Sequence, residues 1–328
     1  MFGAQGNSLT IGLEYVAPIK YAIPLFLFNQ MLAAYLRNDK NPALPTGAVL
    51  AGGIFNVFGD YFFVFTCDMG AYGAGLATAI GSAITFIVMM THFFMKKNTL
   101  KLVKPAQLPR KLKEITVTGF STFFIDVAMG ILTILFNRQI MNYLGNDALA
   151  VYGVIVNIST LAQCCTYSVG QASRPIISTN FGAGRGDRIR RTLKYALGTA
   201  AVFSLFWTAL SMAAPNLFIR IFMSPTPEVL EIAPGIMRCY CSSFILLPLN
   251  IFSTYYFQAL MKPKAAFIVS VARGVVLSGI LIYLLPAVAG ADSIWFAMPF
   301  TVLAVAIYVI CEMVKCTRGL RAQSGSAA

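Results

Sequence analysis

Charge is what this sequence has least of. Only 11% of its 328 residues are Asp, Glu, Lys or Arg, and the acidic ones number 12, where a soluble domain carries about 25% charged residues. That scarcity excludes a disordered chain and an ordinary soluble enzyme. Histidine is reduced to one residue, His92, and the seven cysteines show neither CxxC pairs nor histidine spacing. A structural metal site and a catalytic set built on His with Cys or Asp are therefore not expected, nor is any metal or catalytic residue. Cysteines such as Cys164 and Cys165 lie in apolar runs and read as small interior residues.

What the sequence does have is apolar length. Hydrophobic residues make up 58% of it, and the mean hydropathy is +0.72. A helix crossing a bilayer needs about 20 such residues, and nine runs qualify: 13–35, 44–66, 71–95, 115–141, 147–173, 193–214, 230–258, 265–286 and 293–314. The expected fold class is an all-α polytopic membrane protein. The expected division is a three-helix part at 1–95, a basic cytoplasmic linker at 96–114, a six-helix part at 115–314 and a cytoplasmic tail at 315–328.

The net charge of +13 does not point to nucleic acid, because the bases sit in short blocks between apolar runs. Arg37 and Lys40, the run of lysines and arginines over 96–113, Arg185 to Lys194, Lys262 and Lys264, and Lys315 to Arg321 occupy alternate loops, while the opposite loops hold Arg220. Basic loops stay in the cytoplasm. The C-terminus is expected inside and, with nine spans, the start of this chain outside. The opening MFGAQGNSLTIG has no basic region or cleavage pattern of a signal peptide. An odd number of preceding helices would remove the oddity of an outside start.

Sliding the sequence by 221 residues pairs Leu25 with Leu246, Asn29 with Asn250, Tyr35 with Tyr256, Pro42 with Pro263, Ala51 with Ala272 and Gly53 with Gly274. The same shift lays runs one to three on runs seven to nine and leaves runs four to six unpartnered. Internal repeats of this kind are common in transporters. The pattern leads us to expect that about a hundred residues, three helices at about 20 residues each plus loops, precede this chain, and that it does not export without them.

Several stretches resemble the multidrug and toxic compound extrusion (MATE) family of the flippase-like exporter superfamily. These are YLRNDKNP at 35–42, NVFGDYFFVF at 56–65, GAGLATAI at 73–80 and SVGQASRPIISTNFGAGRGDRIRRTLKYAL at 168–197. YYFQALMKPKAA at 255–266 is similar to the MepA-type branch. The resemblance implies twelve helices in two lobes, of which this chain would hold helices four to twelve. One departure is Arg174, where the family has Gln.

Polar residues inside apolar runs are functional candidates, because a charge at the bilayer centre costs at least about 2.5 kcal/mol. Asp60 lies one turn after Asn56, on a face shared with Gly52 and Gly53, while Ile54, Phe58, Phe62 and Phe65 suit lipid. Carboxylate and carboxamide together offer oxygens to Na⁺ or a site for a proton. An Asp that only glues helices together is the competing reading. The resemblance implies a cation site at Asn56, Asp60 and Thr78, completed by a helix-one Asp that this chain does not contain. Asp126 stands in a polar stripe with Thr122, Gly130, Thr133 and Asn137. It resembles the helix-seven acid of sodium-coupled members, whose acidic partner is here Asn250.

Further stripes run through Asn157, Thr160, Cys164, Ser168 and Gln171, and through Ser243, Asn250, Thr254 and Gln258. As a set they suggest a hydrated cleft, with Asn29, Asn157, Gln171, Asn250 and Thr254 as candidates for contacting substrate. His92 reads as a solvated interfacial histidine. Arg138, Arg174, Arg238 and Arg273 read as span-end side chains that snorkel to water. FGAGRG at 181–186 reads as a turn.

The expectation is a multi-pass plasma (inner) membrane exporter of amphiphilic, often cationic, small molecules, driven by inward H⁺ or Na⁺ with alternating access. No other cofactor, no enzyme activity and no obligatory protein partner beyond the lipid bilayer are expected. The alternatives are a flippase of lipid-linked oligosaccharide or peptidoglycan precursors from the same superfamily, and an inactive fragment.

Overall fold

In a computed structural model, residues 7–101 and 107–325 are described, with the side chains at 7–8, 118, 121–122, 125–126 and 319–325 outside that description. The described residues form helices joined by short turns, and no strand occurs among them. That follows from the composition: in hydrocarbon every backbone donor and acceptor must be paired within its own segment, and a helix does so.

The chain divides into two compact units, Met1–Pro105 and Ala106–Ala328. The first contains α1 (Asn7–Asn38), α2 (Ala43–Tyr61) running into a π turn at Phe62–Thr66, and α3 (Gly70–Met90) ending in a 3₁₀ turn at Thr91–Phe94. The second contains α4 (Leu108–Tyr143), α5 (Gly145–Gly182), α6 (Gly186–Ala213), α7 (Pro215–Phe222), α8 (Pro227–Cys241), α9 (Leu247–Ala259), α10 (Pro263–Val271), α11 (Leu277–Ala289) and α12 (Ala297–Gly325). A π turn at Ala272–Val276 joins α10 to α11.

Eight stretches among the described residues are long and apolar enough to cross a bilayer, from Leu9–Asn38 to Ala291–Arg318. The remaining run expected from sequence, 115–141, falls on α4, a 36-residue helix that carries several of the side chains outside the description. The face of α2 expected to meet lipid is bare of protein: Ile54, Phe58, Phe62 and Phe65 are all exposed.

Small residues set the packing of the first unit. Gly52 on α2 lies so close to α3 that a Cβ there would meet Thr85 Oγ1 and the main-chain oxygen of Gly81. Gly59 faces Ala77 and Gly75 faces the Tyr15 carbonyl of α1 in the same manner. Between membrane helices there is no hydrophobic drive, so close backbone approach and dispersion hold them together.

The second unit has a conventional interior of stacked aromatics. Phe136 stacks on Tyr152 at 5.1 Å, and Tyr240 meets both edge-on at 6.0 Å. Pro248, near the start of α9, has no N–H to offer the carbonyl of Phe244 four residues back. Ser204 on α6 fills the vacancy, its Oγ donating to the oxygens of Phe244 at 2.9 Å and Ile245 at 2.8 Å.

The 221-residue shift has a structural counterpart. Helix α1 ends at Lys40 in the left-handed conformation (φ 59°), and α9 ends at Met261 in the same one (φ 55°). In each turn the next amide closes a six-residue loop, Asn41 N to Leu36 O at 3.0 Å and Lys262 N to Phe257 O at 2.8 Å, which is the Schellman arrangement of helix ends. The same two residues then reach a sulfur at the end of the third helix, Asn41 Nδ2 to Met95 Sδ at 3.8 Å and Lys262 Nζ to Cys316 Sγ at 3.1 Å.

Candidate functional site

In the first unit, helices α2 and α3 bring two of the expected cation ligands together. Asn56 Nδ2 donates to Thr78 Oγ1 at 3.2 Å, and Thr78 Oγ1 donates onward to the Ala74 carbonyl at 3.1 Å. This leaves the Asn56 carbonyl oxygen available as an acceptor. Asp60 sits one helical turn further along α2, half-buried, and its Oδ1 is enclosed without a hydrogen-bond partner. A buried carboxylate oxygen with no donor must take a proton or a cation, or bear its desolvation unrelieved. The local chemistry is thus a set of hard oxygen donors with one formal negative charge, suited to H⁺ or Na⁺ rather than to a soft metal. Among the described residues no cluster of three or more His, Cys, Asp or Glu is assembled.

Asn29 on α1 is committed to structure. Its Nδ2 donates to the Ser82 carbonyl at 2.9 Å and to Ser82 Oγ at 3.1 Å, while its Oδ1 is buried without a partner.

In the second unit the expected residues separate into two groups. Asn157 on α5 is exposed, as are Thr160, Cys164 and Ser168 on the same face, and Gln171 is half-buried. Asn250 and Thr254 on α9 are instead interior: Asn250 Nδ2 donates to the Val302 carbonyl at 2.9 Å, and Thr254 Oγ1 donates to the Asn250 carbonyl at 3.4 Å. In this unit Asn250 and Thr254 tie helices, while Asn157 is open. Asp126 and Thr122 lie on α4, and their side chains are outside the described residues.

Two features differ from the sequence expectation. His92 is not solvated but fully buried. Its Nε2–H donates to Asp39 Oδ2 at 2.7 Å, and Asn41 Nδ2 donates to its Nδ1 at 3.0 Å, an arrangement that specifies the neutral ring. The Thr99 amide (3.0 Å) and hydroxyl both donate to the Asp39 carboxylate, so the α1–α2 turn is clipped to the segment after α3. These donors hold the Asp39 carboxyl down at about 2, with Thr99 contributing most and His92 next. The signal was present in sequence: the lone histidine lies 53 residues from an Asp in a loop, the spacing of two antiparallel helices.

Arg273 is the second correction. Eight residues into an apolar run, it read as a side chain that reaches interfacial water, but it is only 5% exposed and its Nη1 has no partner. Arg138, Arg174 and Arg238 are exposed. The physical reason is the π turn at Ala272–Val276, which places Arg273 on an inward face. Such a turn inserts one residue into the helical count and cannot be read from hydropathy.

With this geometry in view, the comparisons with known proteins are informative. The sequence model of the MatE family matches residues 120–284. "Multidrug export protein MepA" of Staphylococcus haemolyticus is 24% identical over 283 residues, covering 86% of this chain and 62% of that protein. This chain therefore spans less than two thirds of that relative's length. Among solved structures, an outward-facing multidrug resistance MATE family transporter of the MOP superfamily superimposes with a TM-score of 0.88 at 19% identity, over 97% of this chain and 72% of that one. A MOP superfamily transporter from Pyrococcus furiosus, described as having a binding pocket of reverse polarity, gives 0.89 at 18% identity, over 98% and 72%. At such identities the structural likeness speaks for the fold.

Proposed function

The chain belongs to the MatE family, and from that premise we propose that it works in cation-coupled export of amphiphilic, often cationic, small molecules. The driving cation is H⁺ or Na⁺, and transport proceeds by alternating access between the part at 1–95 and the part at 115–314. The membrane is the plasma (inner) membrane, with the basic loops and the tail at 315–328 in the cytoplasm, as the distribution of Lys and Arg favours.

The single observation that carries this reading is the unpartnered Asp60 oxygen beside the Asn56–Thr78 pair. A cation arriving there neutralises the charge and accepts the free lone pairs. It shifts the conformational equilibrium by as much as its affinity differs between the two states. Outward-open is the state with access to the higher cation concentration. Cation binding that favours it promotes drug release, and cation release to the cytoplasm resets the cycle. Asn157, Gln171, Asn29, Asn250 and Thr254 are the polar groups proposed for the substrate path. Asn157 is the most accessible of them, and Asp126 is proposed as a second carboxylate.

The test is efflux of a cationic dye from everted vesicles under an imposed H⁺ or Na⁺ gradient. Asp60→Asn should reduce the gradient-driven rate at least tenfold while the protein reaches the membrane in normal amount. A variant that retains both rate and ion dependence would make Asp60 a structural residue only.

A further inference from the structure

Arg273 is a charged group placed where neither the fold nor the proposed cation chemistry needs one. Among the described residues no carboxylate pairs with it, and the Tyr167 hydroxyl is the polar group that faces it. It lines a cavity of about 60 Å³ inside the second unit, room for more than one water molecule.

Two more buried polar atoms without partners line that same cavity, Ser159 Oγ (residue 8% exposed) and Ser243 Oγ (3%). Buried polar groups are nearly always bonded, so three orphans converging on one void call for an occupant. All three can donate, and a guanidinium cannot accept. That excludes a cation as the occupant and favours an anion. The remaining wall is apolar and aromatic, including Met129, Tyr152, Tyr240 and Phe244.

The repeat shows that this feature is particular to one copy. Moving 221 residues back from Arg273 and Ser243 leads to Gly52 and Ala22. Both are buried, and Gly52 is pressed against Gly81 and Thr85. The equivalent place in the first unit is closed by helix packing, so the architecture does not require a charge or a void there.

We propose that this cavity binds the carboxylate group of an aromatic organic acid. The carboxylate lies on the Arg273 guanidinium, Ser159 and Ser243 donate to its oxygens, and the ring leans on Tyr152 and Phe244. Planar guanidinium and planar carboxylate match in a two-bond fork. The site differs from the cation site of the first unit and adds anionic or zwitterionic compounds to the ligands of the protein.

Binding is measured on the full chain, purified in detergent, without any gradient, so its failure and the failure of the efflux reading are separate results. Calorimetric titration with benzoate should show saturable binding, and benzamide, of the same shape without the charge, should bind at least tenfold more weakly. Arg273→Gln should weaken benzoate at least tenfold and leave benzamide as it was. Ser243→Asp, which supplies a carboxylate from the wall itself, should abolish benzoate binding with no loss of thermal stability, and it answers the question even if Arg273→Gln does not fold. Benzoate failing to bind, benzoate and benzamide binding alike, or a folded Arg273→Gln that binds benzoate like the wild type would each overturn the proposal.

Discussion

Asn29 and Asn250 stand 221 residues apart and make the same bond. Each donates its Nδ2 at 2.9 Å to a main-chain carbonyl on the third helix of its own set, Ser82 in one case and Val302 in the other. Each also leaves its Oδ1 buried and unpaired. An amide that ties two helices with one end and forfeits hydration at the other contributes little net stability. Interhelical hydrogen bonds in membranes average about 0.6 kcal/mol and reach about 1.7.

Asn250→Ala should therefore destabilise the protein by roughly 1–2 kcal/mol, since it removes the bond and opens a small void. Asn250→Leu should stay within about 1 kcal/mol of wild type, because it fills the space and removes the orphan oxygen as well. Thermal unfolding in detergent decides the matter; a leucine variant less stable than the alanine one would refute this account of Asn250.

Adjacent glycines on α2 should respond in opposite ways. Gly52→Ala pushes a methyl into Thr85 and the Gly81 carbonyl and should cost about 1–3 kcal/mol. Gly53→Ala meets nothing within 4 Å and should be neutral or gain up to about 1 kcal/mol from helix propensity. Equal effects at the two positions would mean that α2 and α3 do not approach as closely as the structure has them.

The exposed Met261 sits at φ 55° at the end of α9, a conformation that costs a residue with a side chain about 1–2 kcal/mol. Met261→Gly should raise stability by about 0.5–1 kcal/mol, the strain relieved less the greater freedom of glycine in the unfolded chain. A lower unfolding midpoint in this variant would count against it.

The Asp39 clip predicts a pH dependence with a definite sign. Its carboxyl is held at about 2, below its ordinary 3.8, so the unfolded chain binds a proton more readily than the folded one. The stability this adds is complete above about pH 4 and disappears as the pH falls towards 2. The difference in unfolding midpoint between wild type and Asp39→Asn should be steady from pH 7 to 5 and shrink between 4 and 2. A difference that persists unchanged at pH 2 would assign the clip no electrostatic part.

Much of this molecule was legible in its sequence because two simple constraints dominate. Hydrocarbon enforces helices of about 20 apolar residues, so eight of the runs could be read directly, and the polarity of α2 separated Asp60 and Asn56 from the bare face of Phe58 and Phe65. Partner choice was not legible. Asn157 and Asn250 look alike in composition and spacing, yet one is open and the other is spent on Val302. His92 and Arg273 were misread for a common reason: hydropathy reports how far along a run a residue lies, not which way it turns, and both turn inward.

The two π turns carry a consequence for rotational phase. Each inserts one residue, but at Phe62–Thr66 in the first unit and at Ala272–Val276, the counterpart of 51–55, in the second. The two copies therefore begin in phase, run about 100° apart between these points, since one residue of an α-helix turns that far, and return to phase beyond them. Asn56 and Asp60 fall inside the dephased interval. Their sequence counterparts, Leu277 and Leu281, consequently face another direction within their own helix set. A cation site was not simply lost from the second copy by substitution there: restoring Asn and Asp at 277 and 281 would aim them about 100° away from the place they occupy in the first.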